Sequence, residues 1–579
     1  MPAEVYRDSV SSEIDLVEAI PLSQDSPDHL RHSYPYPALQ LSGEKRSLEF
    51  HHLVLENSLV RYAFAPELGG RLLSITDKRT GSEIWPISGL GLSQGGPRGV
   101  VLERGMELLV GENLNSLGPV EVQIAEPEDA EEPAGLCFAE LASGLPLSYH
   151  VFYHLPPDTC VVSAEVRVFN RSLVVERYSA GLRIHQLRAT HHATAAVYYD
   201  QGHDSGLAVL FEEGEFVGAD ASTLFRAQQQ ELVPGQLDVW RFSLTPFSGL
   251  SSVPSVGPGA SIVLETEAVR VQAHRRLTGA KLIVQTPNGA LEAPADLYPE
   301  RIFEASVAGL NATGAVLIDA ERGESARSDR QAGGPTGLGT ANLAGGRSAY
   351  ESAVTLFDSG ASPAVPCQQA SRDLGFKGPA YQLLGFHALR SGAYVEAASS
   401  FENALLFNAE DHLAWWGKAL AQRLHSNEED PASPELPNAH FLAPLEPLLR
   451  AEAFLAQNNT DRAPNPLIKP LADSPDAMVE VGCWLYRLKL YEQLAKWVDE
   501  ALRHREIPML RYLLADALLS QSRMAVEAAE HVRAAAQAPV NPPYPWRATE
   551  RLVLERLTER FPTDSRIRDL LSLMDWAGA

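Results

Sequence analysis

The chain's 579 residues exceed what one compact core holds at roughly 100–200 residues per domain, and 45% hydrophobic with 21% charged residues is a globular composition that excludes wholesale disorder. Forty-eight basic against seventy-four acidic residues leave a net charge of −26, which repels phosphate backbones and anionic lipid, so nucleic acid is not an expected partner. Cys137, Cys160, Cys367 and Cys483 are scattered without a CxxC pair or a zinc spacing, so buried reduced thiols are expected, with no metal site and no cofactor.

Residues 1–47 read as a lead-in segment. They contain no basic run leading into an apolar stretch and no small-residue cleavage site, so no secretory signal is predicted. No window approaches ~18 uninterrupted apolar residues, so no membrane contact is expected and the location is read as cytoplasmic.

From 48 to 324 the pattern is short, alternating and broken by turns. In the run from Cys160 to Phe169, Cys160, Val162, Ala164, Val166 and Val168 share one face while Ser163, Glu165 and Arg167 share the other, as in a half-buried strand. Similar runs recur at 59–65, 148–154, 195–199, 261–271, 281–286 and 314–319, with Pro and Gly clusters between them. Repeated strands without intervening helical periods predict an all-β sandwich or barrel and not a parallel α/β sheet. Within this region, Pro66 to Gly81 reads PELGGRLLSITDKRTG: Gly69 and Gly70 permit backbone that a Cβ would forbid, and Asp77 to Gly81 reads as a hairpin turn. Glu67 and Arg71 flank the glycines, where they either pair structurally or contact a ligand.

Further along, Arg104-Gly-Met-Glu107-Leu-Leu-Val-Gly-Glu112-Asn carries two carboxylates, and the acidic run from Glu126 to Glu132 reads as a solvated loop. Arg183, His185 and Leu187 share one face if 181–187 is a strand. His191, His192, Asp200, His203 and Asp204 cluster without the spacing of a recognised metal site, and loop histidines on a polar surface are the competing reading. Trp85 and Trp240 are available as sugar platforms or as core residues. No Gly-x-Ser-x-Gly elbow in a strand-to-helix setting is visible.

Residues 325–373, with six glycines between Ser325 and Arg347, read as a linker with a possible short helix. From 374 to 579 the period is helical. Leu384-Gly385, Gly392, Tyr394, Ala397, Phe401 and Ala404 follow the tetratricopeptide pattern, with Trp415 lying 34 residues after Tyr381. Gly482, Leu485, Tyr491, Val498 and Ala501-Leu502 repeat those spacings. A further helical pair is predicted over 509–537, the Pro- and Asn-rich stretch 427–466 is a long connection, and Pro542-Pro543-Tyr544-Pro545 precedes a last pair ending near Met574.

The PELGGR stretch resembles the galactose-mutarotase-like superfamily. With the downstream repeats and Tyr34-Pro-Tyr-Pro37, the chain resembles a poorly characterised bacterial family in which a mutarotase-like sandwich precedes tetratricopeptide repeats. The resemblance implies a multidomain protein: an N-terminal all-β supersandwich binding a mono- or oligosaccharide on its concave face, then all-α helical repeats. It also implies a glycoside hydrolase or sugar epimerase using carboxylate and histidine acid–base chemistry, because ring opening removes the anomeric hydroxyl proton while protonating the ring oxygen. Glu107 then becomes the principal acid or base, Glu112 its understudy and His185 the partner. Arg183 beside it, with Glu67, Arg71, Arg104, His192 and His203, would contact substrate. Glu107 matches the acidic residue of the family's Gly-Gly-Ile-Glu-Trp-Asn-Phe segment. Its neighbours Leu108, Leu109 and Val110 replace that motif's aromatic surroundings, and Ser116 to Pro119 lacks the expected histidine, which implies a weaker grip on a sugar face. The alternative is a non-catalytic sugar-sensing or scaffold protein whose repeats hold a protein partner or a second copy of the chain.

Overall fold

The computed structural model describes residues 2–85, 91–111, 117–142, 144–185, 189–192, 195–212, 216–218, 223–226, 229–320, 323–329, 344–426, 446–457, 468–472, 474–521, 525–539 and 542–578. Its N-terminal half is strand and its C-terminal part is helix, as the change of period predicts. The lead-in segment is not separate from the sandwich. Glu4–Ile20 and Ala38–Glu56 form a long antiparallel ribbon, from Glu4 opposite Glu56 to Ile20 opposite Ala38, and Ala38–Glu56 runs through the expected boundary at residue 48.

This ribbon opens the first sheet, whose order continues through Val60–Ala65, Arg71–Asp77, Met106–Val110, Ala180–Ile184, Thr223–Arg226 and Phe216–Gly218. A second sheet lies against it, ordered Ala189–His192, Ala195–Asp200, Ser205–Phe211, Leu237–Ser248, Val162–Asn170, Leu147–Leu155, Ala134–Ala142 and Glu121–Ala125. Alternation decides which side chains meet between the sheets. Leu53, Tyr62, Phe64, Met106 and Leu182 come from the first and Phe138, Tyr153, Val166, Trp240 and Phe242 from the second. Trp240 is fully buried there and is no sugar platform. Gly69 and Gly70 have φ of 72° and 67°, the left-handed backbone their pairing predicts.

The β region contains a second core that the strand pattern does not announce. Ser255–Val256, Ala260–Leu264, Ala268–Ala273 and Ile302–Ser306 face Gly289–Leu297, Leu277–Thr286, Gly314–Asp319 and Gly323–Asp329 across Ile262, Val269, Val271, Leu282 and Leu317. The run expected as one strand over 261–271 is two, joined by a turn closed by the Glu265 N–H donating to the Ala268 carbonyl. The hairpin turn after Asp77 keys the two sandwiches together. Arg79 turns inward, pairs with Asp77 at 2.7 Å and donates to the carbonyls of Pro246 and Ala273, while Ser248 Oγ donates to Asp77. A turn full of charge thus becomes a buried joint.

The helical array begins at Ala344, not at 374. Ala344–Ser359 and Ala364–Ala370 place Tyr350, Phe357 and Cys367 in the same core as the repeats, so much of the expected linker is helix. Leu374–Arg390 packs on Tyr394–Leu405 where a Cβ on Gly385 would lie 2.8 Å from the Phe401 ring, and the next helix, His412–Ser426, meets that ring at Gly417. Small residues set this spacing, as the repeat pattern requires. Pro475–Arg487 with Tyr491–His504, Pro508–Ser520 with Ala525–Gln537, and Ala548–Arg560 with Ser565–Ala577 follow.

The array sits on the outer face of the second sheet. His412 stacks on Phe169 with ring centroids 4.3 Å apart, Arg171 pairs with Glu446 and Glu480, Arg450 pairs with Glu121, and Asn408 Nδ2 donates to the Gly235 carbonyl. At the far end Tyr544 stacks on Tyr34 and its N–H donates to the Pro35 carbonyl.

Candidate functional site

The outer face of the first sheet, opposite the one that meets the second sheet, holds a compact charged group. In Met106–Val110, Met106, Leu108 and Val110 enter the inter-sheet core, so Glu107 and Leu109 point outward. In Ala180–Ile184 the inward set is Ala180, Leu182 and Ile184, which turns Arg183 outward, with His185 one residue past the strand end. Register completes the placement: Arg183 lies directly opposite Glu107, and the His185 N–H donates to the Gly105 carbonyl. On the other side, Leu72 pairs with Met106, which brings Arg71 alongside. Gly105, at φ 73°, permits this approach, since a Cβ there would stand 2.1 Å from the Leu72 carbonyl oxygen.

Three cationic or ionisable groups converge on one oxygen. Arg71 Nη2 lies 2.9 Å, Arg183 Nη1 3.5 Å and His185 Nε2 3.8 Å from Glu107 Oε2. The Glu107 and Arg71 side chains are 5% and 1% exposed, whereas Arg183 at 24% stands nearest to solvent. Burial pushes the Glu107 carboxyl up, but Arg71, the His185 imidazole and Arg183 outweigh it and hold the group below its ordinary range. Glu107 is therefore a carboxylate at neutral pH. Arg71 also donates through Nη1 to the carbonyls of Leu102 and Arg104, at 2.6 and 3.0 Å, which ties the incoming segment to the sheet. Burial lowers its own pKa, with Glu107 opposing.

Trp85 supports the group from behind. It is buried in the inter-sheet core at φ 57°, and its Nε1 donates to the His185 carbonyl at 3.0 Å, so it positions His185 and is no sugar platform. Nothing in a lone tryptophan's sequence context signals that role.

The other expected site residues fare differently. Arg104 lies two residues before Met106, buried beside this group, where burial lowers its pKa and Glu83 opposes the shift. Glu67 hydrogen-bonds His51 at 2.8 Å on an exposed surface, whereas Arg71 pairs with Glu107 and not with Glu67. His203 pairs with Asp200 at 2.7 Å in the exposed turn between two strands of the second sheet. Those contacts set Glu67 and His203 apart from the Glu107 group. His192 ends an edge strand of the second sheet, where its backbone pairs with Ala195, and its side chain lies outside the described residues. Glu112 and Leu187 also lie outside them. Among the described residues no group of three or more His, Cys, Asp or Glu is arranged to hold a metal ion.

The neighbours of Glu107 also need a different reading. Leu108 and Val110 face the core, so aromatic residues there would pack between the sheets and could not grip a sugar; only Leu109 shares the Glu107 face, and it is buried.

No known protein family and no curated protein matches the chain. Among solved structures, a TPR-domain containing protein from Parabacteroides distasonis is 14% identical over 97% of this chain and 96% of that one, with a TM-score of 0.35. A galactose mutarotase related enzyme from Lactobacillus acidophilus is 12% identical over 35% of this chain and 99% of its own, at 0.22, and a galactose mutarotase-like protein from Lactobacillus casei is 11% identical over 34% and 100%, at 0.23. The assignment of β-sandwich followed by helical repeats rests on the strands and helices described above.

Proposed function

We propose that the chain is a carbohydrate-binding protein that takes a mono- or oligosaccharide over the outer face of the first sheet. Glu107 accepts hydrogen bonds from sugar hydroxyls, and Arg183 and His185 donate to ring or hydroxyl oxygens. The observation that carries this reading is the convergence of Arg71, Arg183 and His185 on Glu107 Oε2 from neighbouring strands. A held carboxylate beside an imidazole is the pairing that aldose interconversion needs: Glu107 draws the anomeric hydroxyl proton while the His185 imidazole gives one to the ring oxygen. The carboxylate–imidazole pair favours an epimerase over a glycoside hydrolase, whose two carboxylates must flank the scissile bond.

A second reading has its own support. Because Arg71 and its companions stabilise the charged form, Glu107 is a weak base near neutral pH, which suits a sugar sensor or scaffold that binds without turnover. Exposed Leu374, Val395, Leu406 and Phe407 on the first repeat would then serve a protein partner.

Exchange NMR on glucose and galactose anomers, with and without the full chain, tests the first reading. We expect faster interconversion, lost by roughly 10²-fold or more in His185→Gln, which leaves the Arg71–Glu107 pair in place. Interconversion at the buffer rate, with saturation transfer to bound sugar, would select the sensor. Neither turnover nor saturation transfer with a panel of hexoses and small glycans would end the carbohydrate assignment.

A further inference from the structure

A polar cavity lies on the side of the sandwich opposite the Glu107 group, between the second sheet and the helical array. It encloses about 230 Å³ and is lined by Ser148 and His150 from Leu147–Leu155, Glu140 and Glu121 from the next two strands toward the sheet edge, and Glu446 and Asp476 at the starts of Pro447–Leu455 and Pro475–Arg487. One water needs only about 10–15 Å³ of such space, so the cavity has room for a ring-sized molecule.

Its carboxylates already have partners. Arg450 meets Glu121 at 3.2 Å, Arg171 holds Glu446, Arg547 meets Asp476 at 2.7 Å, and the Tyr149 phenol donates to Glu140. Nor do the two helix starts call for an anion. Glu446 accepts the Leu448 N–H of its own helix and Asp476 occupies the first turn of the other, so each positive end faces a carboxylate of the chain. Among the lining residues, the buried side-chain atoms left unsatisfied are neutral: Ser148 Oγ and His150 Nδ1, on side chains 3% and 2% exposed, have no hydrogen-bond partner among the described residues. Burial, with neighbouring His412, pushes the His150 pKa down to about 3, so the imidazole is uncharged. Buried polar atoms without partners are costly, and a ligand that supplies donors and acceptors without net charge relieves them. An anion would meet four carboxylates with Arg505 as the only basic lining residue, and a cation would have to compete with arginines already in place.

We propose that this cavity is a binding site for a small neutral polyol of hexose size, clasped between the sandwich and the repeats. It is separate from the Glu107 group and independent of the function proposed for that group. Because its walls come from both units, occupancy tightens their docking.

Hydrogen exchange on the full chain, followed by mass spectrometry, reads the two sites separately. D-glucose, D-galactose and myo-inositol serve as neutral probes, with glucosamine and glucose 6-phosphate as the charged controls. We expect at least one neutral probe to slow exchange over residues 119–125, 147–151 and 474–479, and the charged probes to do so at least about tenfold more weakly. Ser148→Ala should weaken that protection about tenfold, roughly one hydrogen bond's worth. Ala139→Leu, which fills the cavity from its wall, should abolish it and guards against an ambiguous result from the first variant. Changes over 104–110 and 181–185 report only on the Glu107 site. The proposal is overturned if all three neutral probes leave the cavity segments unchanged, if a charged probe protects them equally, or if both variants retain full protection.

Discussion

Replacing Arg71 with methionine tests whether Glu107 sits in a buried charge cluster. The substitution keeps an apolar stem and removes three contacts: Glu107 Oε2 at 2.9 Å and the carbonyls of Leu102 and Arg104 at 2.6 and 3.0 Å. Removing one partner of a buried pair costs about 3–5 kcal/mol, because the other charge is left uncompensated. Each carbonyl left unpaired adds about 1–3 kcal/mol if water does not reach it. Arg183 and His185 remain near Glu107 and recover roughly half of the charge term, so with the two carbonyls about 4–8 kcal/mol in total is the expected loss. At about 2–4 °C per kcal/mol for a unit of 150–250 residues, the sandwich transition should fall by about 8–32 °C. Calorimetry measures the shift, and hydrogen exchange over Met106–Val110 assigns it to this sheet. The pH dependence follows with a definite sign. Glu107 is held below its ordinary value, so its contribution is present above the unfolded carboxylate pKa and disappears as pH falls through the lower folded value. Arg71→Met raises the folded pKa and moves that loss to higher pH. A drop of less than about 2 °C, as for a solvent-screened pair worth about 0–1 kcal/mol, would refute the buried cluster.

Three further outcomes follow from contacts elsewhere. Gly105→Ala forces a Cβ against the Leu72 carbonyl oxygen at a φ of 73° and should destabilise the sheet by about 1–3 kcal/mol, read as a lower sandwich transition; an unchanged one would contradict the close approach. Gly417→Ala puts a Cβ 2.3 Å from the Phe401 ring and should lower the helical transition by about 1–3 kcal/mol of overpacking, seen by far-ultraviolet circular dichroism on heating. Burial, with Arg79 nearby, pushes the His274 pKa down to about 3, below an unfolded value near 6.5, so the unfolded chain takes up the proton first. Stability of the joint between the two sandwiches should therefore fall as pH drops from about 6.5 toward 3, and His274→Gln should flatten that slope in pH-resolved unfolding curves.

Periodicity made the architecture legible because each element obeys a local rule. Val162, Ala164, Val166 and Val168 alternate into the core as two-residue periodicity requires, and Gly385 and Phe401 meet at the helix contact their spacing announces. What stayed hidden depends on contacts distant in sequence. Nothing in the strands from Ser255 to Asp329 marks a second core, since the pairing that separates it is non-local. Arg79 looks like an ordinary turn residue until the carbonyls of Pro246 and Ala273 are brought beside it. In the site, strand alternation correctly put Arg183 and His185 on one face, but only sheet order could bring Arg71 to Glu107 and leave Glu67 with His51.

The loss of aromatic residues after Glu107 illustrates how such a signal changes weight once faces are assigned. Read linearly, Leu108, Leu109 and Val110 remove a sugar platform beside the carboxylate. Read on the strand, Leu108 and Val110 belong to the core shared with the second sheet, where replacing an aromatic by an aliphatic alters packing but not the outward surface. Glu107 keeps its position because that is fixed from the sides, by Arg183 in register and by Arg71 anchored to two carbonyls. The helices occupy the far face of the sandwich, so they do not roof this group through the contacts they make with the second sheet. Influence of the repeats on the Glu107 site has two routes, the inter-sheet core behind the second-sheet contacts and the first-sheet ribbon, whose Leu22 and Ala38 end packs on Tyr544 and Leu573. Substitutions in either set of contacts should alter sugar affinity only if they also shift the strands that carry Glu107 and Arg183.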